Sequence, residues 1–167
     1  MMQSKTGRIA LYGMCIALAF VLSYVESLFP IQGAMPGMKL GLTNLVVLFA
    51  LYFMNDRAAF VINLVRILLV AATFGNFFSL FYSLAGGMLS FIVMFLLKKT
   101  GVFRIVTVSV AGSVSHNAGQ ILMAMVLLGT KQVSWYFGVL CISGVVAGVV
   151  IGMLAALVLS KLHHTLH

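Results

Sequence analysis

Charged side chains are scarce in this chain. They make up 7% of its 167 residues, and only two of them, Glu26 and Asp56, are acidic. A soluble domain carries about 25% charged residues. Hydrophobic residues instead make up 63% of the chain, and they stand in continuous runs rather than in alternation. This composition predicts an integral membrane protein, and the continuous runs favour transmembrane helices over a β-barrel.

Several catalytic arrangements are also missing. The sequence has no G-x-x-x-x-G-K-[ST] motif, so we expect no ATP binding of the Walker type. A prenyl-transferring synthase needs clustered carboxylates to hold magnesium on a diphosphate, and two separated acids cannot provide them. Cys15 and Cys141 lie within apolar runs and indicate neither a disulfide nor a metal site. We therefore expect no standalone catalysis, no cofactor and no bound metal.

Proline is rare as well, and both prolines occur in the stretch from Pro30 to Asn44. That stretch also holds three glycines, and these residue types oppose a continuous helix. Within the hydrocarbon layer of a membrane, backbone that is not helical must be buried in protein or exposed to water. Two interpretations stay open. Residues 30–39 form either a surface loop or a lid over a cavity, with Lys39, Thr43 and Asn44 at the hinge.

The apolar runs predict an all-α integral membrane protein with one membrane domain, residues 1–167. The predicted helices cover about 9–29, 40–54, 58–73, 77–97, 105–128 and 134–160. The cations that flank them fall on one side of the membrane: Lys5, Arg8, Arg57, Lys98, Lys99, Arg104 and Lys161. Because positive charge accumulates on the cytoplasmic side, we expect a six-transmembrane-helix bundle with cytoplasmic N and C termini. These cations do not form one patch, so we expect no nucleic-acid partner.

Polar groups within or beside the predicted helices are the candidate site. Ionisable side chains are costly inside a membrane and indicate function by default. His116 and Gln120 are four residues apart and therefore share a helix face. The residues that we expect to bind a substrate are Glu26, Lys39, Thr43, Asn44, Arg66, Asn76, His116, Asn117 and Gln120.

Structural roles compete with substrate binding at several of these positions. His116 could be a core imidazole that bonds to a neighbouring helix. Arg66 could be a structural cation paired with backbone carbonyls or with Glu26. Asn44 and Asn76 could cap helices. The sequence leaves these alternatives open.

Small residues form two stripes. Gly144, Gly148, Gly152 and Ala156 are spaced four apart in the sixth helix, so they stack on one face and favour close packing within the bundle. The first helix has a shorter version, formed by Ala10, Gly13 and Ala17. A terminal helix favours the edge of a bundle, so this second stripe is the better candidate for docking another membrane protein.

Three stretches stand out together: Lys39-Leu-Gly-Leu-Thr-Asn44, Phe81-Tyr-Ser-Leu-Ala-Gly-Gly-Met-Leu-Ser90 and Ser115-His-Asn-Ala-Gly-Gln120. With Glu26 and the Asn63-x-x-Arg66 pair, they resemble the family labelled heptaprenyl diphosphate synthase component I, also called the Gx transporter family. That family in turn resembles the S components of energy-coupling factor transporters, six-helix membrane proteins that bind micronutrients from outside. The resemblance implies a multi-pass protein of a bacterial cytoplasmic membrane.

Two functional hypotheses follow. In the first, the chain captures a small-molecule substrate from the outer face, beneath residues 30–39, for a micronutrient importer. The resemblance then implies a transmembrane coupling protein and two cytoplasmic ATPases as partners, with docking through the stripe on the first helix. In the second, the chain is a non-catalytic membrane subunit that assists isoprenoid or quinone synthesis, either through a lipid-facing groove or by holding a soluble synthase at the membrane.

Overall fold

A computed structural model describes residues 5–28, 39 and 41–165, with side chains through Leu162. Within these ranges the chain forms six α-helices and no strand, which confirms the predicted all-helical fold. The predicted lid, residues 30–39, lies outside the described residues apart from Lys39. The helices are α1 (Lys5–Leu28), α2 (Asn44–Phe53), α3 (Asp56–Thr73), α4 (Phe77–Thr100), α5 (Ile105–Leu128) and α6 (Tyr136–Thr165), with a 3₁₀ helix at Lys131–Trp135.

Several helix boundaries differ from those predicted. The second helix begins at Asn44 instead of residue 40, because Gly41 has a φ of 85°, a left-handed conformation that glycine adopts without a Cβ clash. Residues 131–135 form a 3₁₀ helix, so α6 begins at Tyr136, and it continues to Thr165 rather than ending at residue 160. The first helix begins at Lys5 rather than at residue 9.

Local signals explain several helix ends. The Oδ1 atom of Asn55 accepts a hydrogen bond from the backbone of Ala58 at 2.7 Å and caps α3. The fourth and fifth helices end at Gly101 and Gly129, both left-handed. Left-handed glycine is a common helix terminator because it carries no Cβ.

The shortest helix, α2, lies at the centre of the bundle. Its 10 residues span about 15 Å, roughly half the thickness of a bilayer's hydrocarbon core. It nevertheless contacts each of the other five helices, and Val46, Val47, Leu48, Ala50 and Leu51 are buried in it. The surrounding helices therefore shield α2, and the main apolar core forms around it.

Glycines allow α5 and α6 to pack closely. A Cβ atom on Gly148 would lie 2.6 Å from the Cα atom of Val110, and one on Gly152 would lie 2.7 Å from the Cα atom of Val106. These separations are too short for a real Cβ atom, so only glycine fits. The prediction that the stripe on the sixth helix serves packing within the bundle is confirmed.

Three helical segments are long and apolar enough to cross a membrane: Lys5–Leu28, Phe77–Thr100 and Lys131–Leu162. Apolar helices of this length indicate a membrane protein. The first of them contacts only α2 and α3 among the described elements, so it lies at the edge of the bundle. Its outer face is apolar, and the side chain of Met14 is 68% exposed.

Cations gather at one end of the bundle. The Nζ atom of Lys98 lies 2.7 Å from Oδ1 of Asp56 and also 2.7 Å from the carbonyl oxygen of Leu51, which ties the end of α4 to the α2–α3 link. The start of α1 and the end of α6 lie at this same end, since Leu11 and Leu162 line one cavity together with Phe53. We call this region the cationic end: Lys5, Arg8, Arg57, Lys98, Lys99, Arg104 and Lys161.

Candidate functional site

Polar side chains from four helices and the α1–α2 segment are buried together in the half of the bundle away from the cationic end. None of these side chains is more than 8% exposed. They occupy the last turns of α1, the start of α2, the middle of α3 and the second half of α5. We call this group the polar centre: Glu26, Lys39, Asn44, Asn63, Arg66, His116 and Gln120.

Glu26 fixes the backbone that leads into α2. One carboxylate oxygen, Oε1, accepts hydrogen bonds from the backbone N–H groups of Gly41 and Leu42, the second at 3.2 Å. Successive N–H groups around a left-handed residue form a concavity that suits an anion. The left-handed turn at Gly41 and the carboxylate of α1 therefore stabilise each other.

Gln120 fixes the same segment from the opposite side. Its Oε1 atom accepts a hydrogen bond from the backbone N–H of Lys39 at 2.8 Å, and its Nε2 atom donates to the Lys39 carbonyl at 2.7 Å. Burial lowers the pKa of the Lys39 ammonium, the Glu26 carboxylate opposes that shift, and the charge of Arg66 adds to it. The segment before α2 is thus held between α1 and α5.

Arg66 is buried on α3 and is bound by its own helix. Its Nη2 atom donates to Oδ1 of Asn63 at 3.0 Å, and Nδ2 of Asn63 donates to the Gly87 carbonyl on α4 at 3.0 Å. Asn63 was not among the candidate binding residues. Its position three residues before Arg66 puts both on one helix face, and that spacing was the available signal.

Glycines allow the His116 ring to lie close to two backbones. A Cβ atom on Gly41 would lie 3.3 Å from Cδ2 of His116 and 3.1 Å from Nδ2 of Asn44. A Cβ atom on Gly86 would lie 3.1 Å from Cε1 of His116 and 3.1 Å from Cγ of Gln120. The ring therefore lies between the α1–α2 segment and α4. Gly41 and Gly86 also belong to the site, although neither was among the predicted site residues.

Several buried polar atoms of the polar centre have no hydrogen-bond partner within the described part of the chain. They are Oε2 of Glu26, Nδ2 of Asn44, Nε of Arg66 and Nδ1 of His116. Buried polar atoms in native proteins are nearly always paired, because leaving one unpaired is costly. These atoms include both donors and acceptors.

Charge interactions couple the members of the polar centre. Glu26 interacts electrostatically with Lys39 and Arg66, and His116 is influenced by both cations. The polar centre holds two basic residues, Lys39 and Arg66, and one acidic residue, Glu26. An anionic or strongly polar ligand fits that balance.

Three of the predicted site residues are not members of the polar centre. Asn76 is exposed, and its Oδ1 atom caps α4 by accepting from the Ser79 backbone at 2.7 Å. Asn117 is buried and donates through Nδ2 to the Leu140 carbonyl of α6 at 2.5 Å. Thr43 is buried immediately before α2, makes no side-chain cap, and leaves its Oγ1 atom without a partner among the described residues. Asn76 and Asn117 thus make structural contacts apart from the polar centre.

Asn44 and Arg66 are two other positions with competing structural roles. Asn44 is the first residue of α2 and Thr43 occupies the N-cap position, so Asn44 is not at the position of the predicted helix cap. Among the described residues, Arg66 donates a hydrogen bond to the side chain of Asn63 and interacts electrostatically with Glu26, one of the two structural partners that were expected.

The predicted docking stripe lies on the surface. Ala10, Gly13 and Ala17 are all exposed on α1. A Cβ atom on Gly13 would meet nothing within 4 Å. The stripe is therefore not used for packing within the described part of the bundle.

The fold and the polar centre together define a helical membrane protein with a buried polar site near one end and a cationic surface at the other. A protein family described as heptaprenyl diphosphate synthase component I matches residues 15–158. The chain belongs to this family, as its sequence motifs predicted. No curated protein and no solved structure matches it.

Proposed function

We propose that this chain is a non-catalytic membrane subunit that serves heptaprenyl diphosphate synthesis. The observation that carries the proposal is the family match over residues 15–158. Both carboxylates of the chain already have partners, Glu26 with the backbone at Gly41 and Asp56 with Lys98. Magnesium-dependent prenyl transfer needs clustered carboxylates, so a separate synthase would perform the chemistry.

The cationic end is the surface that we propose for that synthase. Arg57, Lys99 and Arg104 are exposed there. In this proposal the helical bundle spans a bacterial cytoplasmic membrane, and the positive-inside rule puts the cationic end and both termini in the cytoplasm. A soluble partner with an acidic surface would then dock from the cytoplasm, and electrostatic attraction would steer the encounter.

Charge reversal tests this docking surface. The purified chain in nanodiscs is titrated with the soluble prenyl diphosphate synthase of the same organism. We expect binding that weakens at least tenfold in the double variant Lys99→Glu, Arg104→Glu. Lys131→Glu is the matched control, because Lys131 is an exposed cation at the opposite end. No binding to the unmodified chain at low salt, or equal binding by both variants, would contradict the proposal.

A second candidate function is substrate capture for a micronutrient importer. The unpaired atoms of Asn44, Arg66 and His116 favour it, because together they can bind a small anionic or strongly polar molecule. Residues 30–39 would close over the ligand, starting from the fixed position of Lys39. A transmembrane coupling protein would dock on the stripe of α1, and two cytoplasmic ATPases would drive transport.

Native mass spectrometry of the purified protein tests ligand capture. We expect a co-purified small molecule that is lost in His116→Ala and Asn44→Ala, with the fold intact by circular dichroism. Ser115→Ala is the control on α5, since that hydroxyl bonds only to its own helix at Ala111 among the described contacts. Retention of the molecule by both site variants would refute this candidate.

A further inference from the structure

An apolar cavity of about 290 Å³ lies between three helices, and we call it the lateral groove. Leu11 and Met14 line it from α1, Phe49 and Phe53 from α2, and Val158 and Leu162 from α6. Among the described residues, none that lines it is polar or charged. The lateral groove is therefore separate from the polar centre and chemically unlike it.

The floor of the lateral groove is one face of α2. Leu45, Phe49 and Phe53 all line the groove, and because they are spaced four apart they share this face. The rings of Phe49 and Phe53 stack with their centroids 5.0 Å apart. These three residues are partly exposed, whereas Val47 and Leu48, which do not line the groove, are buried. The surrounding helices thus leave this face of α2 partly uncovered.

The walls of the lateral groove are two helices that do not touch each other. Among the described residues α1 and α6 both contact α2, but they make no contact with one another. Both walls belong to segments that are long and apolar enough to cross a membrane, Lys5–Leu28 and Lys131–Leu162. Met14 and Leu18 line the groove and are 68% and 52% exposed, so the groove is open at its side. An opening between two such helices faces the hydrocarbon of the bilayer.

The size of the lateral groove favours a single hydrocarbon chain over a helix of another protein. From Leu45 to Phe53 the floor runs for about 12 Å, at a rise of about 1.5 Å per residue. An α-helix with its side chains is about 10 Å wide, so about 12 Å of its length occupies about 900 Å³. That volume is roughly three times the volume of the groove. A void that stays empty loses van der Waals contacts along its lining, and a narrow hydrocarbon chain restores them.

We propose that the lateral groove binds one acyl chain of a membrane phospholipid. Its lining excludes polar groups, because a polar group placed there would give up its hydrogen bonds without finding a partner. Since no charged side chain of the described chain lines the groove, binding depends on the acyl chain and not on the head group. The inference uses only the residues of the groove and does not depend on the proposed function.

Photo-cross-linking of the full chain in nanodiscs tests the proposal. The probe is a phosphatidylcholine that carries a diazirine in the middle of one acyl chain, and tandem mass spectrometry locates its adducts on the protein. We expect adducts on Phe49 and Phe53, which form the floor of the groove. We also expect adducts on Ile142, which is 70% exposed on α6 and which any surrounding lipid can contact. Adducts on Ile142 without adducts on α2 overturn the proposal.

Two variants obstruct the lateral groove. Met14→Trp and Leu18→Trp each place a larger side chain at an exposed position, so the fold tolerates them. Each should reduce the adducts on α2 at least tenfold and leave the adducts on Ile142 unchanged. Val146→Trp is the matched control and should keep the adducts on α2, because Val146 is 61% exposed on α6 and does not line the groove. Equal labelling of α2 in all three variants overturns the proposal.

Two further measurements distinguish the acyl chain from other occupants. A phosphatidylglycerol with the same modified chain should label α2 to within threefold of the phosphatidylcholine. A larger difference would show that the head group is recognised and would overturn the proposal. In cell membranes that contain the chain and the probe, the labelling of α2 relative to Ile142 should match that in nanodiscs. Its loss in those membranes would show that another protein fills the groove, which also overturns the proposal.

Discussion

The side-chain amide of Gln120 pairs with the backbone of Lys39 through two hydrogen bonds, of 2.8 and 2.7 Å, across 81 positions of sequence. Glu26 holds the neighbouring residues Gly41 and Leu42 from the other side. The segment that leads into α2 is therefore fixed by two members of the polar centre, Glu26 and Gln120.

Replacement of Gln120 tests the anchor. Gln120→Ala removes both hydrogen bonds to Lys39 and leaves a buried N–H and carbonyl unpaired, at a cost of about 1–3 kcal/mol. We expect faster amide hydrogen exchange at residues 39–42, with little change in α4. Ser115→Ala should leave that exchange as in the unmodified protein. Unchanged exchange in Gln120→Ala would mean that the pairing does not fix the segment.

Two variants of Glu26 separate hydrogen bonding from charge. Glu26→Ala leaves the N–H groups of Gly41 and Leu42 without their acceptor, so we expect a loss of about 1–3 kcal/mol in the free energy of unfolding. Glu26→Gln keeps an oxygen acceptor and should lose less. Thermal unfolding in detergent measures both. Equal losses in the two variants would show that the negative charge, rather than the acceptor, provides the stabilisation.

Replacement of Asn63 tests the buried hydrogen bonds that α3 makes through this side chain. Asn63→Leu removes the partner of the buried Arg66 guanidinium and of the Gly87 carbonyl together. Loss of a hydrogen bond to a charged group costs about 1.5–3 kcal/mol. We expect the double variant Asn63→Leu, Arg66→Leu to be more stable than Asn63→Leu alone, because the buried guanidinium that has lost its hydrogen-bond acceptor is gone. A double variant that is less stable than the single one would contradict this explanation.

Alanine substitutions at two glycines should change stability in opposite directions. Gly148→Ala forces a Cβ atom against the Cα atom of Val110, so we expect a loss of about 1–3 kcal/mol. Gly13→Ala meets nothing within 4 Å and replaces a poor helix former, so we expect a gain of up to about 1 kcal/mol. The midpoint of thermal unfolding measures both effects. A stabilising effect of Gly148→Ala would refute the close packing of α5 and α6.

Much of the fold could be predicted from the sequence, since apolar runs and their flanking residues determine helices. Asn55 and Asn76 cap helices, and Gly101 and Gly129 end them, all through local chemistry. The α1–α2 segment was harder, because the conformation of Gly41 depends on the Glu26 carboxylate of another helix. Local sequence patterns therefore predicted the helices, whereas long-range contacts determined the conformation of the segment that connects α1 to α2.

The candidate site was predictable only in part, for a related reason. Polar residues in apolar surroundings are conspicuous, which led to Glu26, Arg66 and His116. Sequence periodicity cannot show which neighbour a polar side chain contacts. Asn76 and Asn117 were therefore predicted as site residues, although their side chains form hydrogen bonds outside the polar centre.

The most direct test of the proposed function is the rate of heptaprenyl diphosphate formation by the soluble synthase of the same organism. The synthase is assayed with vesicles that contain the chain and with empty vesicles of the same lipid. We predict faster formation of the full-length product with the chain present, and a return to the empty-vesicle rate with the double variant Lys99→Glu, Arg104→Glu. Equal rates with and without the chain would contradict the account.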